Sequence, residues 1–364
     1  MIKDFLINHL FNGSYGSKNF RPHLEIMRIV ATFFVIFNHT GYNGFFLFYN
    51  YEPGSFSYWI YMSLSIFCKF SVPLFFAVSG ALLLTREESI KNLFTHRIFR
   101  MFSVFLLTSF VYYIISISSK KETFDLLDFL TKFVVFEGCY WNFSLWFLYI
   151  FINYLVLLPF LRAMIKNMSE NYYYYGVIVH FVFISLLPII NYLACGQTYF
   201  LDRTLFCLVF PIIGFYLEYN LTMEKLNNKK ILYLWIINAI TISISCILTN
   251  FGFQSQGVHI ENFHNSFVIV NCIVIYITIK YICCKISFSK TISNILISIG
   301  RCTFGIYLAH MAIMIFIINK GYFDYFPNHI NHMLAAFIFC SLVFVMGYFI
   351  TLILKRIPII GKLI

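Results

Sequence analysis

The sequence predicts an all-α fold: a polytopic membrane bundle of about ten transmembrane helices with both termini in the cytoplasm. Three observations lead there. Of the 364 residues, 60% are hydrophobic and only 11% charged, whereas a soluble domain carries about 25% charged residues. No water-soluble core of this length hides so much apolar surface, so the lipid bilayer is the expected solvent and partner. Stretches of roughly 20 apolar residues, the length a helix needs to cross hydrocarbon, recur at about 26–47, 58–84, 101–118, 144–164, 174–194, 203–220, 231–250, 265–283, 295–318 and 333–354. Finally, lysine and arginine concentrate in alternate connecting segments.

Taken in order, the first stretch follows Glu25 and reads as a retained signal-anchor, because residues 1–24 lack a long apolar run followed by small residues. The second holds Lys69 and Pro73, which predict a kink or a break. The fifth opens beside the tyrosine run 172–175, an interfacial aromatic anchor. The sixth is the weakest, being short and carrying Pro211 and Gly214. No internal repeat or linker divides the chain. It reads as a cytoplasmic segment 1–24, one membrane domain 25–356 and a cytoplasmic tail 357–364.

Orientation follows from the loops. With the N-terminus inside, the inner segments hold Lys3, Lys18 and Arg21; Arg86, Lys91, Arg97 and Arg100; Arg162 and Lys166; Lys225, Lys229 and Lys230; Lys280, Lys285 and Lys290; and Lys355, Arg356 and Lys362. The outer segments hold only Lys120, Lys121, Lys132, Arg203 and Lys320. Arg28, Lys69 and Arg301 are left at membrane depth. The net charge of +11 is thus dispersed along the chain, which argues against nucleic acid as a partner.

The ten cysteines form no C-x-x-C pair. Cys68, Cys246, Cys272 and Cys340 lie in apolar stretches and read as reduced, small apolar residues. Cys139 and Cys195 fall in outer loops and leave a disulfide open. The histidines form no H-x-x-x-H pair and no Cys/His cluster, and no phosphate-binding glycine loop or G-x-S-x-G elbow is present.

Ionisable residues at membrane depth are costly and ask for a reason. Arg28 and His39 lie eleven residues apart, about three helical turns, so they share a face and are separated by roughly 16 Å. Glu25 sits one turn before Arg28 and is placed to pair with it, and Thr32 continues the stripe. One reading is a polar seam facing a cavity, with Arg28 holding an anion and His39 acting as a base. The other is a snorkelling Arg28 and a His39 that bonds a neighbouring helix. Lys69 either snorkels outward or faces the cavity. His96-Arg97-Ile98-Phe99-Arg100 is either flanking charge or a phosphate clamp. Arg301 begins the ninth stretch and faces inside. Ser79-Gly80 permits close helix approach, as does Gly305. His310 shares a face with Thr303.

These residues, in this order, resemble the integral-membrane acyltransferase family 3, whose members O-acylate surface polysaccharides, lipopolysaccharide, peptidoglycan and antibiotics. Glu25, Arg28 and His39 are similar to the family's opening acidic–Arg–ten residues–His pattern. Val72-Pro73-Leu74-Phe75-Phe76 with Ser79-Gly80, preceded by Lys69, resembles its second-span motif. Arg97 and Arg100 match its Arg-x-x-Arg, Leu145-Trp146-Phe147-Leu148 its fourth-span run, and Tyr307-Leu308-Ala309-His310 its late Tyr-Leu-x-His. The closing Ile357-Pro358-Ile359-Ile360-Gly361-Lys362 resembles the subgroup of enterobacterial common antigen and intercellular-adhesin modifying proteins. That subgroup often has His where this chain has Ser144. The chain also departs from members carrying an attached esterase-like domain, which implies direct delivery or a separate partner.

The resemblance implies a multi-pass protein of the bacterial plasma membrane. It implies an O-acetyltransferase moving an acyl group from cytoplasmic acyl-CoA, in the first instance acetyl-CoA, to a hydroxyl of a cell-envelope glycan, with no permanently bound cofactor and no metal. Arg28, Arg97 and Arg100 are expected on the donor phosphates. His39, Arg28, Glu25 and His310 are the expected catalytic group, with His39 as base. Lys69, Ser79 and Trp146 are the expected acceptor contacts. A transporter or flippase of a glycan or lipid-linked intermediate is the competing reading, since a polar face and a broken span serve it too. Homo-oligomerisation is left open.

Overall fold

The structure, a computed structural model, describes residues 20–135, 142–195, 203–256 and 265–364. Cys139 lies outside them, and so does the side chain of Cys195, so the open disulfide falls outside the described residues. Cys68, Cys246, Cys272, Cys283, Cys302 and Cys340 are free thiols in buried positions, and Cys284 is free and exposed. Among the described residues the regular structure is helical throughout, and eight segments are long and apolar enough to cross a membrane. The chain is a multi-pass helical membrane protein.

The chain runs through α1 (Pro22–Asn38), α2 (Phe56–Cys68), α3 (Ser71–Leu83), α4 (Phe99–Lys120), α5 (Leu126–Val135) and α6 (Asn142–Lys166). It continues through α7 (Glu170–His180), a π-helical stretch Phe181–Leu186, α8 (Leu187–Cys195), α9 (Arg203–Tyr219), α10 (Asn228–Gln256), α11 (Val268–Lys285), α12 (Lys290–Ile318), α13 (His332–Leu354) and α14 (Pro358–Leu363). A second π-helical stretch, Leu93–Ile98, leads into α4. Helix α1 has 17 residues, as does α9, a rise of roughly 26 Å that nearly matches the hydrocarbon slab.

Two expectations change here. The first stretch is not helical to residue 47: α1 stops at Asn38 and His39 is its C-cap. The Thr40 hydroxyl takes the Phe37 carbonyl at 2.7 Å and the Phe45 amide at 2.8 Å, and Gly41 turns the chain at φ +55°, a conformation open to glycine at little cost. Arg301, expected at the start of the ninth stretch, instead lies well inside α12. The anticipated break near Lys69 is present as the Lys69–Phe70 interruption between α2 and α3. Pro73 then falls in the first turn of α3, where its missing N–H costs no hydrogen bond.

Helix α1 is the hub of the bundle, packed against α2, α3, α11, α12 and α13. Helices α3 and α9 cross at backbone contact. A Cβ added at Gly80 would stand 1.9 Å from the Pro211 carbonyl oxygen, and one at Gly214 would stand 1.9 Å from that of Ala77. Gly80, anticipated to allow close approach, therefore does so at this crossing, and Gly305 does so against Thr351. The apolar window of Phe56–Leu83 is 61% buried, whereas those of Glu170–Ala194 and Asn228–Gly252 are 17% buried. Helices α7, α8 and α10 therefore form the lipid-facing periphery. Tyr172, Tyr174 and Tyr175 are exposed there.

Candidate active site

The site is built along the contact between α1 and α12, which run side by side in the same direction. Near the start of α1, Arg28 donates to the Gly300 carbonyl of α12 at 2.7 Å and reaches Glu25 at 3.5 Å. Both side chains are about one-fifth exposed (23% and 19%). Gly300 leaves room for the Glu25 carboxylate: an added Cβ would stand 1.8 Å from Glu25 Oε2 and displace it. Thr32 bonds back to the Arg28 carbonyl of its own helix at 2.7 Å.

At the other end of α1, the His39 ring lies 5.1 Å from that of His310 on α12. Eleven residues on α1 thus correspond to ten on α12. Arg28 and His39 both address the same neighbour, roughly 16 Å apart. His310 is completely buried. Its Nδ1–H donates to the Tyr307 carbonyl one turn back. A carbonyl only accepts, so the neutral ring carries its proton on Nδ1 and a lone pair on Nε2. That Nε2 is buried without a hydrogen-bond partner among the described residues. A buried polar atom left in this way calls for an explanation.

Tyr307 ties a third helix to the pair. Its ring stacks with His310 at 5.6 Å, and its hydroxyl donates to the Ser144 carbonyl on α6 at 2.6 Å. Phe147 packs edge-on against it at 5.4 Å. The Leu-Trp-Phe-Leu and Tyr-Leu-x-His runs are therefore two halves of one contact. The departure at Ser144 leaves this hydrogen bond intact, because the backbone makes it. Trp146 is half-buried beside this contact, in the core around Phe76 and Tyr154.

From the break between α2 and α3, the Lys69 ammonium lies 4.7 Å over the Phe45 ring and within electrostatic reach of His39. Asn38 donates to the Ser71 hydroxyl at 3.0 Å. Ser79 spends its hydroxyl on the Phe75 carbonyl of its own helix at 2.8 Å, so Ser71 is the α3 hydroxyl next to the His39 end. Sequence reading missed Asn38, Ser71 and Tyr307. Asn38 adjoins His39 and Tyr307 opens the late motif, but the position of Ser71 depends on where the second stretch breaks.

Arg97 and Arg100 part company. Arg97 Nε meets both oxygens of Glu88 at 2.9 Å, and Arg162 reaches Glu88 at 2.8 Å and the Leu83 carbonyl at 2.8 Å. Burial opposes the charge on Glu88, but the hydrogen bonds from Arg162 and Arg97 outweigh it and hold the carboxyl below the usual range. Arg100 Nε donates to the Leu363 carbonyl of α14 at 2.9 Å. An apolar groove of about 670 Å³ between α6, α7, α9 and α11, lined by Met164, Tyr173 and Tyr216, lies apart from all of these residues.

A family profile described as an acyltransferase domain matches residues 21–354, which includes both ends of the seam. Searches of curated proteins and of solved structures return no match. The match extends over nearly the whole chain and agrees with the family its motifs resemble. The chain belongs to this acyltransferase family, as a multi-pass membrane acyltransferase.

Proposed function

We propose that the protein is a membrane O-acetyltransferase that takes an acetyl group from cytoplasmic acetyl-CoA and delivers it to a hydroxyl of an exported or cell-surface glycan. The observation that carries the proposal is the His39–His310 pair, 5.1 Å apart at one end of a seam whose other end is Arg28. The enzyme would sit in a bacterial plasma membrane with both termini inside. The motifs favour the subgroup that modifies enterobacterial common antigen and intercellular adhesin.

In this reading Arg28, oriented by Glu25 and joined by Arg97 and Arg100, holds the donor phosphates at the inner mouth. His39 takes the proton from the acceptor hydroxyl as that oxygen attacks the thioester carbonyl. The C–S bond breaks and the thiolate leaves. General-base assistance of this kind contributes about 10²–10⁴ in rate. The His310 Nε2 lone pair accepts a hydrogen bond from the acceptor or from His39 and fixes its orientation. Lys69, at the helix break, offers a positive charge to the developing oxyanion or to the glycan. Trp146 completes the acceptor path, with Ser71 rather than Ser79 as the hydroxyl that α3 supplies beside His39.

The test is His39→Ala in a deletion strain, read as ester-linked acetate on surface glycans with membrane abundance as control. Loss of acetate at normal abundance is expected. Normal acetate content overturns the assignment. A deletion strain that keeps its acetate but traps glycan inside would favour transport instead.

A further inference from the structure

Beside Arg28, two cations stand apart from the motifs. Lys355, the C-cap of α13, donates to the Arg301 carbonyl at 2.7 Å. Arg28 donates to the Gly300 carbonyl at 2.7 Å. Cations from two different helices therefore dock on consecutive carbonyls of α12, about 1.5 Å apart in rise and 100° around the axis. The side chain of Arg301 leaves the same turn and is exposed. Arg100 joins from α4 through α14. It bonds the Leu363 carbonyl, while Gly361 lies so close to the Lys355 backbone that an added Cβ would stand 2.4 Å from its carbonyl oxygen. Burial lowers the Lys355 ammonium from its ordinary value; Cys302 opposes this, and Arg301, Arg28 and Arg100 add to it. Four helices thus bring four cations to one mouth, with Glu25 as the carboxylate at Arg28 and within electrostatic reach of Arg301.

We propose that Arg28, Arg100, Arg301 and Lys355 form one site for a diphosphate-bearing anion, with Arg301 and Lys355 as contacts to the phosphates of the acyl donor. Guanidinium forks and a point ammonium at one mouth suit such a group, which offers several acceptor oxygens. Desolvation of Lys355 strengthens its pull on an arriving anion. The assignment of the anion to the donor rests on the acyl-CoA reading above. A lipid phosphate headgroup has the same chemistry, so the experiment separates the two sources.

The protein is reconstituted in phosphatidylcholine nanodiscs, with and without phosphatidylglycerol, and titrated with coenzyme A and with inorganic pyrophosphate. Lys355→Met and Arg301→Gln are each expected to weaken both ligands about tenfold. Lys355→Arg should restore most of the affinity. Lys229→Met, an exposed cation on the same predicted side, should leave binding unchanged. If the wild type binds coenzyme A and the variants bind it equally well, the assignment of Arg301 and Lys355 is overturned while the donor reading stands. If the wild type binds pyrophosphate, the variants lose it and coenzyme A does not bind, the cluster stands and the donor reading falls. If phosphatidylglycerol alone abolishes both titrations, the site belongs to a lipid headgroup and the proposal is overturned. Binding of neither ligand also overturns it.

Discussion

The two ends of α1 meet the same neighbour in opposite ways. At the N-terminal end Arg28 uses a helix carbonyl as its anchor, stays about one-fifth exposed and sits among further cations. At the other end His39 meets a second imidazole, on a completely buried residue whose Nε2 has no donor among the described residues. An exposed cation cluster recruits an anion by Coulomb attraction, which salt screens. A buried imidazole pair does little at long range but supplies a defined lone pair at short range, where general-base chemistry needs it. The proposed mechanism places binding at one end of the seam and proton transfer at the other, with roughly 16 Å between them.

The sharpest way to break that division is His310→Gln. Loss of the Nε2 lone pair beside His39 should lower kcat by about 10²-fold or more while the KM for the acyl donor changes little, measured by donor consumption in reconstituted vesicles. A donor KM that rose in parallel would mean the two ends are not separate. Raising NaCl from about 0.05 to 0.5 M tests the other end. Donor KM should rise severalfold as the Debye length shrinks from about 14 to 4 Å, with kcat at saturation preserved.

A smaller effect sharpens the outer end. Tyr307→Phe removes the bond to the Ser144 carbonyl but keeps the stacking ring, at a cost of about 1 kcal/mol. Activity should fall about fivefold, with membrane abundance near normal. An unchanged rate would show that His310 needs no support from α6.

The smallest expected change lies outside the seam. Glu88 is held below the usual carboxylate range by Arg162 and Arg97 against the opposing effect of burial. Its stabilising contribution is therefore full above the ordinary carboxylate pKa and is lost as pH falls through the lowered one. Glu88→Gln should reduce thermal stability at neutral pH by about 1 kcal/mol or less, as befits a partly exposed ion-pair network. The gap from wild type should close in acid. A gap that persisted there would point to lost packing rather than lost charge.

Much of the site was legible because its signals are local. An arginine and a histidine eleven residues apart on an apolar helix share a face by geometry alone, and ionisable groups at membrane depth draw attention by their cost. His310 was legible for the same reason. Its tautomer was not, because that depends on a hydrogen bond to the Tyr307 carbonyl. The end of α1 at Asn38 was also hidden. Residues 40–47 remain apolar enough to continue a span, and the Thr40 side-chain bonds that close the turn depend on Phe45. Ser79 and Ser71 look alike as serines of one stretch. The break at Lys69–Phe70 decides which one reaches Asn38.

By itself the sequence determined the solvent of this protein, its helical character and the motifs that carry its family. Each follows from composition or from spacing along a single helix, and both are properties of the chain. Only the tertiary structure decided that α12 is the shared partner of Arg28 and His39, that α6 supports His310 through Tyr307, and that Lys355 and Arg28 dock on neighbouring carbonyls of α12. Those are contacts between helices far apart in sequence. They are set by which apolar faces pack and by where a glycine such as Gly80 or Gly214 lets two backbones close, and helical periodicity carries no record of the partner.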